Sequence, residues 1–169
     1  FNAATYSGVS PAKMTEGLSS VMFCLSKGLG APVGSMLVGS QEFIDRALVG
    51  RKRFGGGMRQ VGILAAAGIY ALENNVERLQ QDHENAEILG QGLHELGFDL
   101  KPYPVETNIF FADTEKIGVN TRELAQYLKK KGIVIGPRGE TQIRFVTHLD
   151  VTKSDIEKTL AEIKNFLAG

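Results

Sequence analysis

The run KGLGAPVG, residues 27–34, constrains this chain more than any other stretch. Three glycines and an Ala-Pro pair in eight residues can continue neither a helix nor a strand, so the segment must turn. Its flanks, SSVMFCLS and SMLVGS, are short, apolar and β-leaning, and they read as two buried strands. Lys27 then lies in the loop that joins them, a single long cation among Ser26, Gly28, Gly30, Ala31, Gly34 and Ser35. Ten of the chain's twenty glycines fall between 28 and 68, too clustered to be scattered loop residues.

The totals remove several function classes. With 169 residues, the chain suits one domain or a little more. Nineteen basic and nineteen acidic residues cancel, so no global field draws the chain to nucleic acid or to an anionic membrane. Cys24 is the one cysteine, which excludes an intrachain disulfide and makes a reducing cytoplasm the default expectation. No apolar run has the length of a membrane span, and the first residues lack the pattern of a signal peptide. The chain begins at Phe1, and we expect it to be a piece of a longer protein.

The expected elements fall into two parts. Residues 1–19 read as helix and turn. QEFIDRALVGRKRFGG reads as a helix ending in a basic, glycine-rich segment. A long helix is expected from about 58 to 96, buried in its first half because it is apolar nearly all round, and stopped by Gly97. Beyond it, FDLKP and TNIFFAD read as strands with alternating faces. NTRELAQYLKKKG reads as a helix with an Asn or Thr cap, IVIGP and QIRFVTH as two more strands, and TKSDIEKTLAEIKNFLAG as a final helix opened by Thr152 or Ser154. The expected division is 1–75 and 76–169, the second part a small α+β unit.

Three places could carry chemistry. Lys27 is the first: a lysine amine attacks a carbonyl once it loses its proton, and burial favours that loss. A surface lysine at a strand end is the commoner fate, but a solvated lysine needs no surrounding nest of glycines. RKRFGGGMRQ, residues 51–60, is the second, with cations flanking three glycines just before a helix. A site for phosphate or carboxylate and a basic loop at a subunit interface both fit that pattern. Arg144 is the third: in an alternating strand its fork suits a carboxylate, although from spacing alone an edge-strand arginine in water is the commoner fate. His83, His94 and His148 lack metal-ligand spacing and read as ordinary helix or surface residues, and Cys24 reads as core filling. No zinc pattern or serine-hydrolase elbow occurs, and GLGAPVG departs from a nucleotide-binding P-loop because its lysine precedes the glycines.

Together, CLSKGLGAPVGSMLVGS, RKRFGGGMRQVGILAAAGIYALE and ERLQQDHENAEILGQGL resemble the second half of the low-specificity L-threonine aldolases. The resemblance runs from Phe1 to about residue 165 and is looser in the last third. It implies an α/β fold, the latter part of a large domain of the pyridoxal-phosphate (PLP) fold-type-I kind followed by a small α+β domain. It also implies a PLP enzyme that cleaves a β-hydroxy-amino acid, L-threonine or L-allo-threonine, to glycine and an aldehyde. Lys27 would form the Schiff base with PLP. Arg59 would reach a cofactor phosphate, that of a neighbouring subunit in a homo-oligomer, with Lys52 and Ser26 assisting. Arg144 would hold the substrate carboxylate, and Thr107 and Asn108 would be structural.

Part of the family's pattern is missing from these residues. Its phosphate-binding turn, the histidine that stacks on the ring, and the carboxylate that pairs with the ring nitrogen all belong to its first half. The resemblance therefore implies that these 169 residues need that half for activity. A β-eliminating lyase of the same fold, and a non-catalytic assembly module derived from such an enzyme, are the alternatives.

Overall fold

The computed structural model describes all residues from Phe1 to Gly169. The chain divides into two compact units, Phe1 with Ala3–Arg78, and Asn2 with Leu79–Gly169.

The first unit opens with two short helices, α1 (Asn2–Ser7) and α2 (Pro11–Met14). Ser10 caps α2 by accepting from the Lys13 N–H, and Pro11 fits the first turn, where no N–H partner is needed. Strands β1 (Ser20–Cys24) and β2 (Ser35–Gly39) pair antiparallel, Ser20 opposite Gly39 and Cys24 opposite Ser35. They pair with nothing else. The expectation of two buried strands is corrected here: β1 is largely half-buried and every residue of β2 is exposed. A two-stranded ribbon has no third strand or second layer to cover its faces.

Helix α3 (Gln41–Arg53) is capped by Ser40, whose Oγ accepts from the Phe43 N–H. It ends in a Schellman motif: Gly55 adopts φ 78°, its N–H donates to the Lys52 carbonyl, and the Gly56 N–H donates to the Arg51 carbonyl. Helix α4 (Gly62–Asn74) follows. The single helix expected over 58–96 is instead two, α4 and α5 (Leu79–Glu95). Asn75 causes the break: its N–H closes α4 on the Ala71 carbonyl, while its side chain turns away to donate to the Leu29 carbonyl at 2.7 Å. The expected burial of the first half also fails. Only Gly68 and Ala71 of α4 are buried, and Ile63, Ile69 and Tyr70 are exposed.

The second unit carries the hydrophobic core. Its sheet has the order β3 (Asp99–Lys101), β4 (Ile109–Asp113), β6 (Gln142–Val146), β5 (Gly136–Arg138), antiparallel throughout. Period-two alternation sorts β4 and β6: Phe110, Ala112, Ile143 and Phe145 are buried, and Arg144 and Val146 are exposed. Helices α5, α6 (Thr121–Lys130) and α7 (Lys153–Ala168) supply Leu89, Leu93, Leu124, Leu128, Ile156 and Ile163 to the same core. Asn120 caps α6, and Thr152 with Asp155 forms a capping box on α7.

Glycines at 97 and 132 end α5 and α6 with the same paired bonds as Gly55: Phe98 N–H donates to Leu93 and Ile133 N–H to Leu128. The strand expected at IVIGP is therefore displaced to Gly136–Arg138, because Ile133 is committed to closing the helix. His83 is buried in α5; burial lowers its pKa, and the neighbouring Asp82 charge opposes the shift.

Candidate active site

Lys27 stands at the apex of a turn whose two legs are anchored. Leu25, Leu29 and Ala31 are buried, whereas Ser26 and Lys27 between them are exposed. The Leu25 N–H donates to Gly34 O, the Ala31 N–H to Leu25 O, and the Gly30 N–H to Lys27 O at 2.8 Å. Gly30 takes φ 73°, a conformation that a side chain would oppose. Asn75 clamps the Leu29 carbonyl from α4, and Gly68 of α4 lets the helix approach Leu25, whose Cδ1 would lie 3.0 Å from a Cβ at that position. A fixed backbone thus presents a free-standing amine. Lys27 is exposed, and the strands beside it pair only with each other.

The basic stretch lies in the same unit. Arg51, Lys52 and Arg53 fill the last turn of α3, where cations oppose the helix dipole. Arg51 Nε donates to the Gly56 carbonyl at 2.7 Å. Lys52 and Arg59 are exposed, and neither forms an ion pair. Gln60, at φ 51°, turns the chain into α4 and is the one non-glycine residue in the left-handed region.

Arg144 belongs to the second unit. It occupies β6 between Phe111 of β4 and Gly136 of β5, on the face opposite the core. A Cβ at Gly136 would lie 3.2 Å from the Arg144 carbonyl, so glycine permits that strand to pair closely. Arg144, Val134, Val146, His148 and Lys158 line a cleft of about 570 Å³. Asn108 is buried, and its Nδ2 donates to the Thr147 carbonyl at 2.9 Å, which gives it a structural task.

Sequence reasoning missed Asn75 as the clamp on the lysine turn and Arg51 as a bond donor to Gly56. The paired asparagines at 74 and 75 were the available signal for a helix end, since asparagine competes with helical bonding. No metal cluster is formed by histidine, cysteine or carboxylate side chains. No helix is long and apolar enough to cross a membrane.

The profile of the Beta-eliminating lyase family matches residues 1–117, which include the lysine turn and the basic stretch. The chain belongs to that family. Its similarity extends beyond the match. The Low-specificity L-threonine aldolase 1 of Arabidopsis thaliana is 45% identical over 95% of this chain, and the Low specificity L-threonine aldolase of Escherichia coli K12 is 45% identical over 99%. The chain spans about half the length of the curated relatives it matches, 46% and 49% in these two.

Solved structures share the fold. A crystal structure from Exiguobacterium sp. 255-15, assigned as an aromatic amino acid beta-eliminating lyase/threonine aldolase, has TM-score 0.78 at 19% identity. It matches 97% of this chain, which covers 49% of it. The serine palmitoyltransferase of Sphingomonas wittichii has TM-score 0.68 at 19% identity, matching 91% of this chain and 41% of its own. This Beta-eliminating lyase family chain therefore has the α/β fold expected from its sequence.

Proposed function

We propose that this chain is the lysine-bearing part of a PLP-dependent enzyme that cleaves a β-hydroxy-amino acid, L-threonine or L-allo-threonine, to glycine and an aldehyde. One observation carries the reading: Lys27 is an exposed amine held at the apex of a turn whose neighbours Leu25, Leu29 and Ala31 are anchored in the unit's interior. Bonds on both sides of Lys27 fix the backbone from which the amine reaches a carbonyl. The names of the relatives from Arabidopsis and Escherichia support the substrate class.

The donor set fits PLP. Its aldehyde suits the Lys27 amine. Its phosphate suits the guanidinium of Arg59, with Lys52 and the Ser26 hydroxyl as further donors; none of the cations Lys27, Lys52 and Arg59 is tied up in an ion pair. Bound PLP supplies an electron sink for the electrons of the breaking Cα–Cβ bond. Arg144 holds the substrate carboxylate through its planar fork, which fixes the orientation of the amino acid. The activity belongs to a protein or assembly of the relatives' length, a cytoplasmic homo-oligomer in which Arg59 serves a neighbouring copy's cofactor. Within it, residues 1–75 form the end of the large domain and 76–169 the small domain.

The test begins with this chain incubated with PLP, reduced with borohydride and mapped by mass spectrometry. Lys27 should carry the adduct, and Lys27→Ala should remove it without labelling any other single lysine to the same extent. An adduct spread evenly over the lysines would sink the reading. In an assembly of the relatives' length, release of glycine from L-threonine supports aldol cleavage, whereas release of ammonia would assign β-elimination.

A further inference from the structure

We propose that Arg51 is a positioning residue, whose Nε–H bond to the Gly56 carbonyl holds the glycine turn that sets the direction of Arg59. The proposal rests on the reading of Arg59 as a phosphate ligand. Arg51 and Gly56 bond to each other twice: the Gly56 N–H donates to the Arg51 carbonyl at 2.8 Å, and Arg51 Nε donates to the Gly56 carbonyl at 2.7 Å. The first bond is the ordinary closure of a Schellman motif. The second is extra. It uses a side chain to fix the carbonyl that would otherwise let the next peptide rotate.

Close packing extends the clamp along the turn. A Cβ at Gly56 would lie 3.1 Å from Arg51 Cγ, and one at Gly57 would lie 3.3 Å from Lys52 Cγ. Gly56 and Gly57 thus lie against the stems of Arg51 and Lys52, where side chains would lift them away. At the far end Gln60 holds φ 51° before α4 begins. A left-handed conformation at a residue with a Cβ is strained and persists only where its surroundings impose it. Arg59 lies between these two fixed points. A guanidinium that gives its Nε–H to a backbone carbonyl acts as a strut, a task distinct from direct contact with an anion.

Two substitutions separate strut from ligand. Glutamine carries Nε2 the same number of bonds from Cα as arginine carries Nε, so Arg51→Gln keeps the donor and deletes the charge. Arg51→Met deletes both at similar length. The readout, in an assembly of the relatives' length, is the PLP concentration that half-labels Lys27 after borohydride, with pyridoxal, which lacks the phosphate, as the control. Arg51→Met should raise that concentration about fivefold, the value of one hydrogen bond, and Arg51→Gln should stay within about twofold of the unaltered chain. With pyridoxal all three should label alike. A glutamine variant as poor as the methionine variant would mean that Arg51 binds the phosphate through its charge, and a methionine variant equal to the unaltered chain would mean that it positions nothing; either overturns the proposal. The Nε–H resonance of Arg59 gives a reading without cofactor. It should move in Arg51→Met and hold in Arg51→Gln, and any other pattern overturns the proposal. Absence of Lys27 labelling in the unaltered assembly would defeat the PLP reading alone, leaving this resonance to decide the role of Arg51.

Discussion

Replacing Asn108 by alanine should destabilise the second unit by about 2–3 kcal/mol. Asn108 sits one residue before β4 and is 6% exposed. It meets Thr147 three times: the Thr147 N–H donates to the Asn108 carbonyl at 3.0 Å, Thr147 Oγ1 reaches the same carbonyl at 3.5 Å, and Asn108 Nδ2 donates to the Thr147 carbonyl at 2.9 Å. Thr147 is 1% exposed and its Oγ1 donates to the Asp82 carbonyl at 2.6 Å, so the pair ties β4, β6 and α5 together. Truncation removes one hydrogen bond, about 1 kcal/mol, and strips a donor from a buried carbonyl, about 1–2 kcal/mol more. Against the roughly 5–15 kcal/mol that holds a domain folded, the loss is large. Urea unfolding followed by far-UV circular dichroism is the assay. With a slope of about 2 kcal/mol per molar, the midpoint should fall by about 1–1.5 M.

Asn108→Asp sharpens the test, because it keeps the shape and turns the donor into an acceptor facing a carbonyl. Burial and that acceptor raise the new carboxyl's pKa in the folded state. A raised pKa gives stability that is present below the unfolded value of about 3.9 and is lost as pH rises through the folded value. The aspartate variant should thus lose most at neutral pH and approach the parent on acidification. A midpoint for Asn108→Ala within about 0.3 M of the parent would refute the reasoning.

Two further outcomes follow from packing and capping. Asp155 accepts from the Thr152 hydroxyl and N–H, which lowers its pKa from 3.8, so its contribution is present above that value and is lost as pH falls through the depressed one. Asp155→Asn should flatten that part of the acid limb of a melting-temperature profile, and an unchanged limb would count against the capping box as its source. A Cβ at Gly90 would overlap Val105 Cγ2; Gly90→Ala should therefore cost about 1–3 kcal/mol despite a helix-propensity gain of about 1, and adding Val105→Ala should recover most of the loss in thermal unfolding.

Much of the second unit was legible from local pattern. The alternation in IFFAD and QIRFV chose which side chains face the core, and Arg144 was expected on the strand where it lies. Asn120 and Thr152 marked helix starts because their side chains accept the first free N–H groups, a signal confined to four residues. Lys27 and the glycine-rich stretch stood out for a similar reason: their composition permits only a turn. Local pattern gave no view of what covers an element. The apolar runs of β1, β2 and α4 read as buried, yet β1 is largely half-buried and most side chains of β2 and α4 are exposed, because burial depends on neighbouring layers.

The sequence by itself determined the turn at Lys27, the caps of α6 and α7, the glycine stops and the two faces of β4 and β6, because these follow from φ preference, side-chain reach and period. The tertiary structure decided the rest. It broke the expected long helix where Asn75 turns to the Leu29 carbonyl, a partner 46 residues away. It shifted β5 when Ile133 was taken to close α6, and it left Lys27 in solvent on a pinned turn. Each of these outcomes depends on which distant group arrives to form the bond or cover the surface, and sequence spacing does not encode that arrival.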